Sequence, residues 1–287
     1  MAVTAFAAAK VNLYLHITGR RGDGYHLLDS LIAFPDIGDD ITAEPAPDLS
    51  LEIVGPEAAS LASRHGDNLV LRAARLLAGD TATTDGAALH LQKNLPVAAG
   101  IGGGSSDAAA AMRALTALWR LSLGEPALCD LAVRLGADLP ACLHANPVWV
   151  GGVGERVEPA VGLPQAGSLL ANPRIELPTA AVFAARSGPF GDPRRFAPMP
   201  KDAVGLAQAL MSRRNDLTGA AIGLVPEIGA VLARLERLPG ALIARMSGSG
   251  PTCFALFRDR AAAERASGAL SASEPGWWCA AGALAGR

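Results

Sequence analysis

The strongest constraint in this sequence is a glycine-rich stretch that leads directly into helix-forming residues. Residues 96–107 read Pro-Val-Ala-Ala-Gly-Ile-Gly-Gly-Gly-Ser-Ser-Asp, and an alanine-rich run follows. Glycine lets a backbone turn sharply and approach a ligand without a Cβ in the way. A helix that begins at the serines would direct its free N–H groups and the positive end of its dipole into the loop. The combination predicts a phosphate-binding loop.

The same stretch could instead be a flexible hinge, but a hinge does not need serines and a helix to follow at once. Two familiar phosphate loops do not match it either. A P-loop ends in Gly-Lys-Ser or Gly-Lys-Thr, and no lysine lies between Lys93 and the helix. The dinucleotide-binding fingerprint has a glycine where Ser105 stands, and it places an acidic residue at a second strand where residues 124–126 indicate a turn.

Length and composition restrict the class of protein. The chain has 287 residues, which is enough for two domains with separate cores. Half of the residues are apolar, 18% are charged and the formal net charge is −2, so we expect a soluble globular protein that does not bind nucleic acid. No apolar run approaches the roughly eighteen residues of a membrane span, and residues 1–10 lack the basic start of a signal peptide. Four cysteines without CxxC spacing indicate buried thiols in a reducing, cytoplasmic environment.

Hydrophobic periodicity predicts alternating strands and helices. Strands are expected at 3–17, 27–34, 40–44, 49–54, 87–92, 168–171, 241–246, 252–257 and 277–282, with a strand pair at 148–157. Helices are expected at 69–78, capped by Asp67 and Asn68, from the loop serines onward, from 125 to about 135, at 201–212, 226–237 and 260–271, and in short segments after 138 and 178. Four prolines in 188–200 predict an irregular loop. The pattern indicates an α+β fold with domains at 1–157 and 158–287.

Two charged residues are candidates for chemistry. Lys10 lies between apolar residues of a predicted strand, with Asn12 on the same face, so it is either a solvated lysine or a buried cation that needs an anionic partner. Asp138, in Leu-Gly-Ala-Asp-Leu-Pro, is by its position the N-cap of a short helix. The residues alone favour the capping interpretation.

The glycine-rich stretch resembles the phosphate-binding motif Pro-x-x-x-Gly-Leu-Gly-Gly-Gly-Ser-Ser of the GHMP kinases, with Ile101 in place of leucine. Further stretches resemble one branch of that family, the 4-diphosphocytidyl-2-C-methyl-D-erythritol kinases of the non-mevalonate isoprenoid pathway. They are Ala-Lys-Val-Asn-Leu-Tyr-Leu at 9–15, Arg-Arg-Gly-Asp-Gly-Tyr-His at 20–26, Leu-Gly-Ala-Asp-Leu-Pro at 135–140 and Ser-Gly-Ser-Gly at 247–250. The resemblance extends in order from residue 6 to about residue 257.

This resemblance implies a two-domain GHMP kinase fold. The N-terminal domain would be like domain 2 of ribosomal protein S5, the C-terminal domain would be ferredoxin-like, and the active site would lie in the cleft between them. The implied activity is ATP-dependent phosphorylation of the C2 hydroxyl of a cytidyl diphosphate alcohol. The implied partners are ATP with Mg²⁺ and this small molecule, with no nucleic acid, membrane or obligatory protein partner.

The resemblance also implies catalytic and nucleotide-binding roles. Asp138 would take the proton from the hydroxyl, and Lys10 would hold Asp138 ionised and stabilise the transferring phosphoryl group. Asn68 (within 67–70) and Lys93 would lie on the adenosine side. The loop residues expected to bind the ATP phosphates, with both serine hydroxyls near Mg²⁺, are Pro96, Val97, Ala98, Ala99, Gly100, Ile101, Gly102, Gly103, Gly104, Ser105 and Ser106. Among the glycines, Gly103 is expected to need a positive φ.

The substrate side follows in the same way. Tyr25 and Phe183 would stack on the two faces of cytosine, and His26 would contact the edge of the base. Asn12 would contact the alcohol, and the backbone at Gly248 and Ser249 would lie on the far side of the substrate. Residues 188–200 match nothing in the family and stay unassigned.

Three alternatives are less consistent with these residues. The substrate of a homoserine kinase or a mevalonate kinase has no base that could stack on Tyr25 and His26. A non-catalytic binding homologue would be expected to lack Lys10 or Asp138. A nucleic-acid-binding protein built on an S5-like domain would need a basic stripe that this chain does not have.

Overall fold

The computed structural model of the chain describes residues 1–61 and 68–284. Two compact units are present: unit 1 comprises Met1–Ala9, Gly38–Val97 and Gly102–Ala145, and unit 2 comprises Lys10–Ile37, Ala98–Ile101 and Asn146–Arg287. The units alternate along the chain, whereas the sequence predicted one boundary at residue 157. The difference arises because residues 26–33 pair with a strand at 148–152.

The described residues form twelve strands and nine helices. In chain order these are β1 (Val3–Ala8), β2 (Val11–Arg20), β3 (His26–Ala33), β4 (Gly38–Ala46), β5 (Ser50–Val54), α1 (Leu69–Thr81), β6 (Gly86–Gln92), α2 (Gly103–Leu118), α3 (Glu125–Val133), α4 (Leu139–His144), β7 (Val148–Gly152), β8 (Arg156–Pro159), β9 (Gly167–Asn172), α5 (Thr179–Ala185), α6 (Ala203–Met211), α7 (Thr218–Leu224), α8 (Glu227–Glu236), β10 (Ile243–Met246), β11 (Cys253–Phe257), α9 (Arg260–Ser273) and β12 (Trp278–Ala283).

Unit 1 is a four-stranded sheet with helices packed on it. Its strand order is β1-β4-β6-β5, antiparallel except for the parallel pair β5–β6. Helix α2 packs on β1 and β4 and against α1 and α4. Residues 108–111 of α2 are four alanines with no exposed surface. Alanine combines high helix propensity with a small side chain, so this helix can be buried within unit 1.

Unit 2 contains two antiparallel four-stranded sheets, with strand orders β2-β3-β7-β8 and β10-β11-β9-β12. Its core combines Leu15 and Ile17 of β2 with apolar residues of β9, β11, α8 and α9. Leu15 and Ile17 lie two positions apart on β2, so both side chains face the core. The pairing of β2 with β3 shifts register between Asn12 and Tyr14 and again between Ile17 and Gly19.

The differences from the sequence-based elements have physical causes. The strand expected at 3–17 is two strands, because the chain leaves the first sheet at Ala8 and begins the second at Val11. The N-terminus of α2 is Gly103, two residues before the serines. Helix α7 was not predicted. Residues 188–200 contain neither helix nor strand, as predicted.

Within the described ranges, no helix is both long and apolar enough to cross a membrane.

The core of unit 2 gives a direct test of the fold. Phe257 of β11 is fully buried in that core, so Phe257→Ala should lower the free energy of unfolding by about 3–5 kcal/mol through lost contacts and a residual cavity. Urea denaturation followed by circular dichroism measures the change. Phe190→Ala, at a side chain that is 49% exposed, serves as the control and should have a much smaller effect.

Candidate active site

The glycine-rich loop connects Leu95 to helix α2 through left-handed backbone. Gly100 has φ +70° and Gly102, the N-cap of α2, has φ +63°. The expectation of a positive φ at Gly103 is wrong: that residue already has helical backbone as the first residue of α2. The free N–H groups at this helix start can bind an anion.

The middle of the loop is held by backbone hydrogen bonds within unit 2. Lys10 N donates to Ile101 O at 2.8 Å, and Thr252 N donates to Ala99 O at 3.2 Å. A Cβ at Gly100 would lie 2.3 Å from Gly250 O, so this approach of two backbones requires glycine. Two stretches matched by the resemblance, the loop and the turn at 247–250, are therefore in direct contact.

Lys10 and Asn12 are both buried at the start of β2. Lys10 precedes the strand instead of lying within it. Asn12 N donates to Ser247 Oγ at 3.1 Å, and Asn12 Nδ2 donates to Ser30 Oγ at 2.8 Å. Asn12 Oδ1 has no hydrogen-bond partner among the described residues, so it keeps an acceptor for a ligand.

Asp138 occupies the N-cap position of α4, yet its side chain makes no capping hydrogen bond to the described residues of that helix. The residue is exposed, whereas the helix that follows is buried. Helix α4 is fixed at its other end, where Arg113 of α2 donates to Cys142 O at 3.0 Å and to Leu143 O at 3.3 Å. The capping interpretation therefore loses its main support, and an exposed carboxylate on an anchored helix can act as a base.

The two loop serines differ in their surroundings. Ser106 is buried and its hydroxyl donates to Cys142 Sγ at 3.4 Å. Ser105 is partly exposed. Outside the undescribed segments, no group of three or more His, Cys, Asp or Glu residues could hold a metal ion. A hydroxyl oxygen can bind Mg²⁺ beside phosphate oxygens, and of the two serine hydroxyls only that of Ser105 belongs to a partly exposed residue.

Asn68 and Lys93, the two residues expected near adenosine, bind other residues of unit 1. Asn68 caps α1, accepting from Val70 N at 2.8 Å, as the sequence predicted for this helix start; Asp67 lies outside the described residues. Lys93 Nζ is buried and lies 2.6 Å from Asp39 Oδ2 and 2.7 Å from Asp107 Oδ2. We call Lys93, Asp39 and Asp107 the Lys93 cluster. The two carboxylates raise the pKa of Lys93 against the effect of burial, while burial raises the pKa of Asp107 to about 8.

His26 and Phe183 form an aromatic pair in unit 2. Their ring centroids are 5.2 Å apart with planes inclined by 31°, and Phe183 also packs against the core of the unit. Burial, with help from Arg20 and Arg186, lowers the pKa of His26, so the imidazole is neutral near pH 7 and offers one donor and one acceptor. Phe183 is carried by α5, whose Thr179 hydroxyl lies 2.9 Å from Ser249 Oγ.

Tyr25 is presented by a tight turn. Gly24 N donates to Arg21 O at 3.0 Å and Tyr25 N to Asp23 Oδ1 at 3.2 Å. The Tyr25 side chain is 64% exposed, an unusual state for a large aromatic residue and one that suits stacking on a ligand.

Gly248 has φ +54°, and a Cβ there would lie 2.6 Å from Gly100 O.

Sequence reasoning missed a network that holds the irregular loop at 188–200. The buried carboxylate of Asp29 on β3 accepts from Tyr14 Oη at 3.0 Å and from Arg194 N at 2.7 Å. Arg195 pairs with Glu158 at 2.7 Å and lies 3.7 Å from Asp29. No local motif signals this arrangement, because its members are far apart in the sequence.

Two parts of the chain match known protein-family models. Residues 68–146 match the GHMP kinases N terminal domain, and residues 199–275 match the GHMP kinases C terminal domain. The 4-diphosphocytidyl-2-C-methyl-D-erythritol kinase of Paramagnetospirillum magneticum is 51% identical over 274 residues, which cover 96% of this chain and 95% of that protein. The kinase of the same name from Cereibacter sphaeroides (strain ATCC 17029) is 52% identical over 289 residues, covering 98% and 99%.

Solved structures show the same relationship. A crystal structure of 4-(cytidine 5'-diphospho)-2C-methyl-D-erythritol kinase has a TM-score of 0.81 and 35% identity, and the match covers 99% of this chain and all of that one. Homoserine kinase from Cytophaga hutchinsonii shares the fold, with a TM-score of 0.69. Its sequence is 17% identical, and the match covers 99% of this chain and 94% of that one. The expected two-domain GHMP kinase fold is thereby confirmed, and the chain belongs to the 4-diphosphocytidyl-2-C-methyl-D-erythritol kinase branch of the GHMP kinases.

Proposed function

We propose that this protein transfers the γ-phosphoryl group of ATP to the C2 hydroxyl of 4-diphosphocytidyl-2-C-methyl-D-erythritol, giving the 2-phosphate and ADP. The observation that carries the proposal is the His26–Phe183 pair, which lies beside an exposed Tyr25 in the unit that also holds Asn12. A planar base can stack on such aromatic side chains, and a neutral imidazole can exchange hydrogen bonds with its edge. Relatives of about 50% identity bear the corresponding name.

In this proposal Asp138 is the general base. It accepts the proton of the C2 hydroxyl as the oxygen attacks the γ-phosphorus, and the bond to the β-phosphate oxygen breaks to release ADP. Lys10 is proposed to supply positive charge that offsets the charge of the transferring group. Asn12 is proposed to orient the alcohol through its unpartnered Oδ1.

The start of α2 is the proposed phosphate site. Its first N–H groups, which have no partner within the helix, and the helix dipole provide donors and positive potential. Mg²⁺, bound with ATP, would be held by phosphate oxygens and by Ser105, and it would neutralise charge on the β- and γ-phosphates. We place the enzyme in the cytoplasm, where its four cysteines, none of them in a disulfide in the described residues, would remain reduced.

The direct test of this function is a coupled ADP-release assay with purified protein, ATP and a panel of acceptors. The panel comprises the cytidyl substrate, mevalonate, homoserine and galactose. We expect turnover with the cytidyl substrate alone. Preferential turnover of any other acceptor would refute the proposal.

Asp138→Asn should abolish most turnover and leave ATP binding intact. Because general base catalysis contributes about 10²–10⁴-fold, kcat should fall by that factor while the Kd for ATP stays within error of the wild type. Steady-state kinetics and calorimetry measure the two quantities. Asp130→Asn, at an exposed aspartate of α3, is the matched control. A variant that retains a tenth of the wild-type kcat would contradict the assignment.

Gly104→Ala tests the phosphate site without disturbing the protein. A Cβ at this position, the second residue of α2, has no described neighbour within 4 Å, so the change should leave stability unchanged or raise it by up to about 1 kcal/mol. It should nevertheless weaken ATP binding, because the methyl group would stand where the phosphates approach the backbone. Gly79→Ala in α1, which is equally open, is the control and should bind ATP normally. Equal ATP affinity in both variants would exclude a phosphate at this helix start.

The aromatic side chains should determine affinity for the cytidyl substrate. Stacking is worth about 1–3 kcal/mol per base, so Tyr25→Ala or Phe183→Ala should raise KM for that substrate by roughly 5–150-fold. KM for ATP should hardly change, and kcat should fall less than KM rises if the base binds equally in the ground and transition states. Kinetics with each substrate varied in turn provide the measurement. A similar rise in both KM values would show that the aromatic residues serve packing alone.

A further inference from the structure

The Lys93 cluster is buried throughout. The side chains of Lys93, Asp39 and Asp107 are 3%, 0% and 4% exposed, and the ammonium lies within 2.7 Å of both carboxylates. Removing three charged groups from water costs free energy that surface pairs do not incur. Apolar residues of similar volume in the same place often give a protein of equal or greater stability. An arrangement of this kind therefore calls for a reason besides stability.

Two residues of the Lys93 cluster, Lys93 and Asp107, come from the two sides of the glycine-rich loop. Lys93 directly follows β6 and leads into the loop, while Asp107 lies in the second turn of α2, after the loop. Asp39 of β4 also holds the residues just before the loop, because its Oδ1 accepts hydrogen bonds from Asn94 N at 2.5 Å and from Leu95 N at 2.8 Å. The ion pairs thus connect the last residues before the loop to the helix after it.

The position of the ammonium points to the same role. A Cβ at Gly103 would lie 3.3 Å from Lys93 Nζ, so the ammonium is packed against the first residue of α2. A cation at the N-terminus of a helix is unfavourable for the helix dipole, and it is held there only because the two carboxylates compensate it. The charges consequently fix where α2 begins relative to β6.

We propose that the Lys93 cluster is a positioning device that clamps the two ends of the nucleotide loop, so that the backbone N–H groups at the start of α2 are pre-organised for the phosphates of ATP. The proposal rests on the proposed function, and it replaces the adenosine-side role expected for Lys93 with an indirect one. Lys93 touches no nucleotide in this account. It acts through the backbone of residues 94–103, whose glycines would otherwise sample many conformations.

Charge and shape can be separated at Asp107. Asn keeps the size of this side chain and an oxygen that can accept a hydrogen bond from Lys93 Nζ, which donates to Asp107 Oδ2 at 2.7 Å. Leu has a similar size and offers no acceptor. Asp107→Asn should therefore preserve the clamp, and Asp107→Leu should release it.

The test compares Asp107→Leu, Asp107→Asn, Lys93→Met and the double variant Lys93→Met/Asp107→Leu with the wild type. Calorimetry with a non-hydrolysable ATP analogue gives Kd, and kinetics give KM for each substrate. Asp107→Leu and Lys93→Met should weaken analogue binding at least about tenfold, because small displacements of a binding loop are costly. Asp107→Asn should lie within about threefold of the wild type, and KM for the acceptor should change by less than about twofold in every variant.

The double variant covers the case in which Lys93→Met fails to fold. It removes the cation together with one carboxylate and leaves Asp39 bonded to the backbone, so it should fold and still bind the analogue weakly. Asp80→Asn, in an exposed pair with Arg134, is the control and should behave as the wild type. Unchanged analogue affinity in a folded Leu or double variant would overturn the proposal, as would equal weakening toward both substrates. Analogue binding needs no acceptor, so the clamp can be judged even if the acceptor assay refutes the proposed reaction.

Discussion

The ion pairs of Lys93 with Asp39 and Asp107 are the constraint on which the nucleotide loop depends. Four glycines within five residues make that loop free to bend, and such freedom opposes a defined binding geometry unless both ends are fixed. Strand β6 and helix α2 supply two rigid ends, and the cluster joins them. In unit 2, the turn at 247–250 fixes the middle of the loop through backbone contacts.

The residues proposed to bind the two substrates come from both units. Unit 1 contains the start of α2, with free N–H groups, and α4, which carries Asp138 at an exposed position. Unit 2 contains Lys10, Asn12 and the aromatic residues proposed to hold the base. Each group is held by a buried framework: Arg113 binds the C-terminal carbonyls of α4, and Ser30 binds the amide of Asn12. Asp138 can therefore be exposed on a helix that is anchored, while Asn12 is held in a buried position.

The parts that could be predicted from the sequence are those with local causes. Glycines predict the loop before α2, and a capping residue predicts the helix start at Asn68. The short helix that carries Phe183 follows from a pattern of a few residues. The break at Ala9 and Lys10 could not be predicted, because apolar alternation continues while the chain changes sheet. The burial of Lys93 could not be predicted either, since Asp39 lies 54 residues away and no spacing rule connects them. The turn of Ser106 toward Cys142 depends on how α2 and α4 pack.

The identity of the phosphorylated product tests the central claim most directly. The purified protein would be incubated with ATP, Mg²⁺ and 4-diphosphocytidyl-2-C-methyl-D-erythritol, and the product would be examined by ³¹P nuclear magnetic resonance. We expect a new phosphomonoester signal on the C2 oxygen, formed in equal amount to ADP, with the diphosphate signals of the acceptor retained. ADP formed without that phosphomonoester, or a phosphate on another hydroxyl, would contradict it.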